Sequence, residues 1–375
     1  MNLRVCINTS NLHNGGGVQV ATSFLRELSD IECAFSDNEV IIYVSSEVAE
    51  NLGDTVHQLK QNFDVQEFDV FGLAAFSPKI RKKYHNFDLI FSLFGPDYLP
   101  MIGAKKVIGF AQPWILYNNS DAYQSLGLLS ALKSKMTFWL KKQLFKGADA
   151  YVVELEHVKE RMLSKNIGHE NNIHIAYNTI SGNYREMKEQ KLQLAEKTSE
   201  VFKLGIISRN YSHKNLSILP EVKLILEERY HQKIEFYVTF KKEEFHGESS
   251  IFQNQVVNLG PKKVDECIDT YLEFDGVFFP SLLECFSATP LEAMATGRAL
   301  FASDRPFNRN VCGEHAYYFD PLSPEDAARV IDDYIENKWR RDLEERLAAR
   351  EHAINFSNPR DRALKYIEVI NKVLS

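Results

Sequence analysis

The sequence predicts an α/β protein built from two doubly wound, Rossmann-like parallel-sheet domains. Three observations carry that expectation. At 375 residues the chain exceeds the roughly 250 to 300 at which a single core stops growing, so two domains are expected. Short runs that are apolar on both faces recur between longer helical patterns, as in parallel sheets covered by helices on each side. The series breaks at one polar stretch without strand pattern and then starts afresh.

In chain order, the first-half runs of strand length are LRVCIN, EVIIYVS, FDLIFSL, KKVIGFA and ADAYVVE. Behind the first comes HNGGGVQV, His13 to Val20, where three glycines leave the backbone bare just ahead of a helical stretch. The polar stretch YREMKEQKLQLAEKTSE, Tyr184 to Glu200, is the expected domain boundary. Beyond it FKLGIIS opens a second sheet, continued by KIEFYVTF, DGVFFPS and RALFASD. NPRDRALKYIEVINKVLS reads as a closing helix with Asn358 as N-cap and Pro359 at its first position. The expected division is residues 1–185, residues 200–356 and a last helix over 358–375.

Hydrophobic residues at 44% and charged residues at 25% suit a soluble globular protein, and a net charge of -7 argues against a general nucleic-acid binder. Cys6, Cys33, Cys267, Cys285 and Cys312 are odd in number and far apart, which suggests a reducing compartment and no structural metal. MNLRVCINTS lacks a signal-peptide core, and no apolar run approaches the ~20 residues of a membrane span. A cytoplasmic protein is expected.

The richest stretch is FFPSLLECFSATPLEAMATGRALFASD, Phe278 to Asp304. Glu284 and Glu292 are separated by seven residues, after a strand and around a loop that leads into a helix at about Pro290. The amides of Phe286, Ser287 and Ala288 would point outward at that helix start, where anions are favoured. Two carboxylates flanking one ligand suit the hydroxyls of a sugar or ribose. On spacing alone the pair reads equally as a helix cap and a solvated first-turn acid. Upstream, IISRNYSHKNLSI puts Arg209 and Lys214 in the loop after the second domain's first strand. Alone that is an ordinary exposed basic loop, but both loops lie at carboxyl ends of strands, where open parallel sheets bind ligands.

These residues resemble the retaining nucleotide-sugar glycosyltransferases of the GT-B fold, glycosyltransferase family four. That family's signature of strand, Glu, seven residues, Glu and Ala reads here as ECFSATPLEAMATG, followed in the family's order by RALFASD and GEHAYYFDP. The resemblance implies two Rossmann-like domains facing across a cleft, the first binding acceptor and the second donor, with the last helix returning to the first domain. It implies that Glu292 holds the nucleotide ribose and Glu284 contacts the donor sugar. Arg209, Lys214 and the amides of Phe286, Ser287 and Ala288 would hold the diphosphate, with Gly16 and Gly17 passing close to the donor from the first domain. Gln112 stands on the acceptor side where relatives often carry histidine; it can hydrogen-bond a sugar but cannot act as a base.

The implied activity is retaining transfer from a nucleoside-diphosphate sugar to a saccharide or lipid-linked saccharide, in bacterial surface polysaccharide or lipopolysaccharide biosynthesis. No cofactor or metal ion is expected, and the chain contains no Asp-x-Asp sequence. A catalytically silent partner of another transferase is the alternative. A nicotinamide dehydrogenase is disfavoured, since GGGVQV departs from Gly-x-Gly-x-x-Gly and the second strand ends in Ser45 and Ser46 rather than an acid. Finally, LLSALKSKMTFWLKKQLFKG, Leu128 to Gly147, carries five lysines and no acid. It reads equally as a core-packing helix with a solvated lysine face and as a peripheral helix on an anionic inner-membrane surface.

Overall fold

Every apolar run of the first half becomes a strand. A computed structural model of the chain describes residues 3–32, 34–35, 38–96, 98, 103–118, 120–123, 126–188, 200–339 and 341–375; Cys33 and residues 189–199 of the expected boundary lie outside them. The strands of the first sheet are β1 (Arg4–Thr9), β2 (Glu39–Val44), β3 (Asp64–Glu67), β4 (Leu89–Ser92), β5 (Lys105–Gly109), β6 (Ala150–Val153) and β7 (Ile173–Ile175). They pair in the order β3-β2-β1-β4-β5-β6-β7, all parallel. The second sheet holds β8 (Phe202–Ile206), β9 (Ile234–Val238), β10 (Val256–Asn258), β11 (Gly276–Phe279), β12 (Ala299–Ser303) and β13 (Tyr317–Phe319). Its order is β10-β9-β8-β11-β12-β13, again all parallel.

Two compact units result. The first takes in Met1–Asn118, Leu132–Asn178 and Ser357–Ser375; the second takes in Asn119–Ala131 and Thr179–Phe356. The passage at Asn178 and Thr179 comes earlier than the polar stretch suggests. Tyr184, expected in a linker, is fully buried in the second unit. Its ring lies 6.4 Å from that of Tyr271. The closing helix, Pro359–Leu374, starts where Asn358 accepts from the Asp361 amide at 2.8 Å. It seats Ala363, Tyr366 and Ile370 in the first unit's core with Phe24 and Phe91. Arg362 is buried there and donates to Asn178 and to Ser23.

Strand order turns around between β1 and β4 in one unit and between β8 and β11 in the other. Loops leaving adjacent strands of opposite winding diverge there and open a crevice beyond the carboxyl ends. In the second unit, the loops that diverge follow β8 and β11, so the chain's topology brings the basic stretch and the first glutamate side by side.

The helix Leu128–Phe145 corrects one of the two readings of the basic segment. Of its residues only Phe145 is buried, against Phe110 at 4.6 Å between ring centroids. Phe138 stacks on Trp114 at 5.9 Å. The apolar residues Leu129, Leu132, Met136 and Trp139 are exposed. The core-packing arrangement with a solvated lysine face is therefore reversed, because the fold-facing side is set by Phe138 and Phe145, about 150° around the helix from the larger apolar stripe. Among the described residues no helix is long and apolar enough to cross a membrane.

Candidate active site

After β8 the chain runs through a short turn, Ser212–Lys214, and reverses at Asn215, whose φ of 57° and ψ of 36° place it in the left-handed region that Asn tolerates. This turn is stitched to the loop after β11. The carbonyl of His213 accepts from the Leu282 amide at 2.8 Å and from Ser281 Oγ at 3.2 Å. Lys214 Nζ then reaches Glu284 Oε1 at 2.6 Å, with Ser281 Oγ on the same oxygen at 2.7 Å. The two charged side chains are only 13% and 10% exposed, so their attraction is weakly screened. Phe279 supports the ammonium, its ring centroid 5.0 Å away. Below, Ser303 Oγ donates to the Ser281 carbonyl at 2.6 Å and Asn308 Nδ2 donates to Ser303 Oγ at 2.9 Å, which fixes the loop from beneath.

His213 lies 3.8 Å from the same glutamate oxygen and stacks on Tyr211. Burial lowers its pKa, the Glu284 carboxylate opposes that, and Lys214 adds to the lowering. At neutral pH the ring is therefore uncharged and Lys214 carries the cation of the pair.

Glu292 lies on the helix Thr289–Ala295, which begins with Pro290 in its first turn as the sequence predicts. Burial raises its carboxyl pKa to about 7, opposed by the hydrogen bond from Tyr271. Tyr271 is completely buried and its hydroxyl stands 3.0 Å from Glu292 Oε2. Charge on Glu292 in turn helps push Tyr184 and Cys267 upward, after burial, so all four groups share one low-dielectric neighbourhood. Among the described residues, the Tyr184 hydroxyl is buried without a hydrogen-bond partner. A carboxylate held near its titration point, with one side-chain donor on it among the described residues, has unused acceptor capacity for a diol.

The far end of the same helix is held by arginines. Arg350 donates to the carbonyls of Ala295, Tyr184 and Met187, Arg346 to that of Gly297 at 3.1 Å, and Arg298 to that of Thr296 at 3.1 Å. All three are buried, and Arg346 also pairs with Asp342 at 2.8 Å. Cations on the last carbonyls of a helix satisfy groups that have no partner along the chain.

The structure thus brings Lys214 and Glu284 together and places Glu292 on the adjoining helix. It directs Arg209 elsewhere. That side chain is 46% exposed and pairs with Glu244 at 2.7 Å, at the start of the helix Lys242–His246. Among the described residues, the amides of Phe286, Ser287 and Ala288 have no acceptor within the chain. In the first unit, the glycines are the first turn of the helix Gly15–Ser29 rather than a loop before it. Gly15 has a φ of 62°, which suits glycine, whereas a Cβ on Gly16 would meet nothing within 4 Å. Gln112 is the half-exposed N-cap of the short helix Pro113–Leu116, with no side-chain cap bond. Among the described residues no group of three or more His, Cys, Asp or Glu side chains is placed to hold a metal ion.

Sequence reasoning misses Tyr271, Ser281, His213, Glu244 and the three arginines. The SHK sequence places His213 beside Lys214, the one local signal among them. Tyr271, Glu244, Arg346 and Arg350 reach their partners in the site across 21 or more residues, where no local pattern marks them, whereas Ser281 lies three residues from Glu284 and Arg298 two from Thr296.

Comparison with known proteins follows the same outline. Residues 185–355 match the family described as glycosyl transferases group 1. No curated protein matches the chain in sequence. Among solved structures, a glycosyltransferase from Rickettsia africae superposes with a TM-score of 0.68 at 18% identity, over 100% of this chain and 99% of that one. HepE of Anabaena, in complex with UDP and glucose, gives 0.68 at 14% identity over 99% and 100%. The lipopolysaccharide outer core galactosyltransferase WaaB gives 0.58 at 13% identity over 100% and 99%. At these identities the likeness shows the fold, which is GT-B.

Proposed function

We propose that this chain, whose residues 185–355 match the group 1 glycosyl transferases, moves a sugar from a nucleoside-diphosphate sugar to a saccharide or lipid-linked saccharide. The transfer retains anomeric configuration and uses no metal ion. One observation carries the reading: a largely buried Lys214 ammonium, held on Glu284, stands beside the loop whose Phe286, Ser287 and Ala288 amides have no acceptor among the described residues. That is a preorganised anion site at the point where a parallel sheet binds ligands.

In the proposed reaction the bond between the sugar C1 and the β-phosphate oxygen breaks, and its electron pair leaves with the diphosphate. Lys214 and the three amides stabilise the charge that builds there. The acceptor hydroxyl attacks C1 from the same face and its proton passes to the departing phosphate oxygen. Glu284, aligned by Lys214 and Ser281, contacts the donor sugar, and Glu292 accepts from the ribose hydroxyls. Arg209 joins the diphosphate by exchanging Glu244 for phosphate, which matches its fork geometry equally well. Gly16 and Gly17 offer helix-start amides without side chains, and the open space at Gly16 supports approach by a ligand rather than by protein. Gln112 hydrogen-bonds the acceptor. The likeness to WaaB supports surface polysaccharide or lipopolysaccharide as the product class, and that to HepE makes UDP-sugars the first donors to try.

The test is a panel of UDP-, GDP-, ADP- and dTDP-sugars, following release of free nucleoside diphosphate by the wild type and by Glu292→Ala. Slow hydrolysis of one donor, lost in the variant, is the expected result. Neither binding nor turnover on any donor would overturn the proposal.

A further inference from the structure

The helix Leu128–Phe145 turns its apolar side away from the fold. Leu128, Leu129, Leu132, Met136, Trp139 and Leu140 are between 53% and 92% exposed. At about 100° per residue these six fall within an arc of about 120°. Lys135 and Lys142 border that arc on one side and Lys133 on the other. The opposite side is the one held to the protein, through Phe138 on Trp114 and Phe145 on Phe110. Isolated exposed apolar residues need no explanation, but six neighbouring ones on a helix held to the fold by its other side mark an interaction surface.

We infer that this face is a membrane-docking surface, on which the helix lies in the plane of an anionic bilayer with its apolar arc among the acyl chains and its lysines at the phosphates. Three observations select that occupant. At 18 residues the helix is about 27 Å long and interrupted by lysines, so it cannot span a bilayer and can lie along one. The segment to Gly147 carries five lysines and no acid, which complements anionic headgroups. Lys142 lies close enough to Lys146 and Lys165 for their charges to lower its pKa, after burial, so positive charge accumulates at this end. A second copy of the chain docked through the same face would set lysine borders against lysine borders. Trp139, near the edge of the arc that Lys135 and Lys142 border, suits the headgroup boundary, where its ring is apolar and its N–H meets water.

The inference adds to the proposed function a place where a lipid-linked acceptor is met, but its evidence is independent of donor chemistry. The experiment is flotation of the full chain with phosphatidylglycerol-containing vesicles and with pure phosphatidylcholine vesicles, together with the fluorescence of Trp139. The wild type should float with the anionic vesicles, less so in high salt, with a blue shift in emission. Leu132→Ser/Met136→Ser/Trp139→Ser should stay in the soluble fraction while keeping its circular dichroism and melting curve. Lys133→Gln/Lys135→Gln should bind about 25-fold more weakly, at about fivefold per neutralised lysine. A wild type that stays soluble, or a triple variant that floats equally well, overturns the inference. So does a wild-type dimer that the triple variant dissociates, without vesicle binding. Donor hydrolysis is read separately on the soluble chain. A protein that hydrolyses donor but does not float loses only the docking surface, and one that floats without touching any donor loses only the transferase reading.

Discussion

Replacing Glu292 by glutamine should stabilise the second unit at alkaline pH while abolishing donor binding. In the folded chain burial lifts its carboxyl from 4.5 to about 7. The native state therefore keeps the proton longer than the unfolded chain does. Below about 4.5 both states are protonated and nothing is lost; as pH rises from there through 7, ionising the native carboxyl costs stability. The difference of about 2.5 pH units corresponds to about 3 kcal/mol at pH 8, a ceiling because the side chain keeps some exposure and is partly screened. Glutamine is neutral, nearly isosteric and still accepts from Tyr271. Glu292→Gln should thus be more stable than its parent by up to about 3 kcal/mol at pH 8, and by less than about 0.5 at pH 4.5. The chain has three tryptophans. With Trp114 and Trp139 replaced by phenylalanine, Trp339 is left to report urea unfolding of the second unit, where its ring packs 5.1 Å from Phe202. A variant no more stable than its parent at pH 8, or a gap that does not change with pH, would refute a carboxyl held near its titration point.

Four further outcomes follow from neighbouring contacts. Tyr271→Phe removes the hydrogen bond that favours the ionised glutamate, so the pH midpoint for donor binding, read by nucleotide titration calorimetry, should move upward from about 7. Lys214→Ala should lower donor hydrolysis by ~10² to 10³-fold and melt earlier because Glu284 is left buried and unpaired; adding Glu284→Gln should restore melting and not turnover. Gly16→Ala should fold at least as well, since a Cβ there meets nothing within 4 Å, yet hydrolyse donor at least about tenfold more slowly if the helix start carries ligand. Arg350→Met leaves buried carbonyls at Ala295 and Met187 unpaired and should cost about 2 to 4 kcal/mol in the same urea assay.

How much of this was legible depended on which groups meet locally. Every strand found from apolar runs is interior to its sheet, while β3, β7, β10 and β13, which the runs do not reveal, are the four edges. Edge strands are short and half solvated: β3 is DVQE and β10 is VVN, neither with two apolar faces. The glutamate spacing was legible because loop and helix start are contiguous in sequence. Lys214 could be placed near Glu284 only through strand order, and Arg209 could not be placed, because Glu244 competes for it from 35 residues away. The basic helix was ambiguous because spacing defines an apolar arc but not which side of the helix the fold takes.

The arginines around the far end of the glutamate helix suggest why a raised carboxyl pKa persists. A short helix with a half-buried acid beside Tyr271 and Tyr184 is unfavourable by itself at neutral pH. Here Arg346 and Arg350, both on the helix Leu343–Asn355, hold the carbonyls at its end, and Arg298 ties that of Thr296 to that of Phe274, so backbone movement cannot relieve Glu292 by carrying it to water. The remaining relief is protonation or a ligand that donates hydrogen bonds to the carboxylate. Each hydroxyl bond to the ionised form lowers its pKa. Nucleotide binding at pH 6 should therefore release a proton, and its apparent affinity should rise between pH 6 and 8. Calorimetry in buffers of different ionisation enthalpy measures that proton directly. If no proton is released at pH 6 by a chain that binds nucleotide, Glu292 does not receive the ribose.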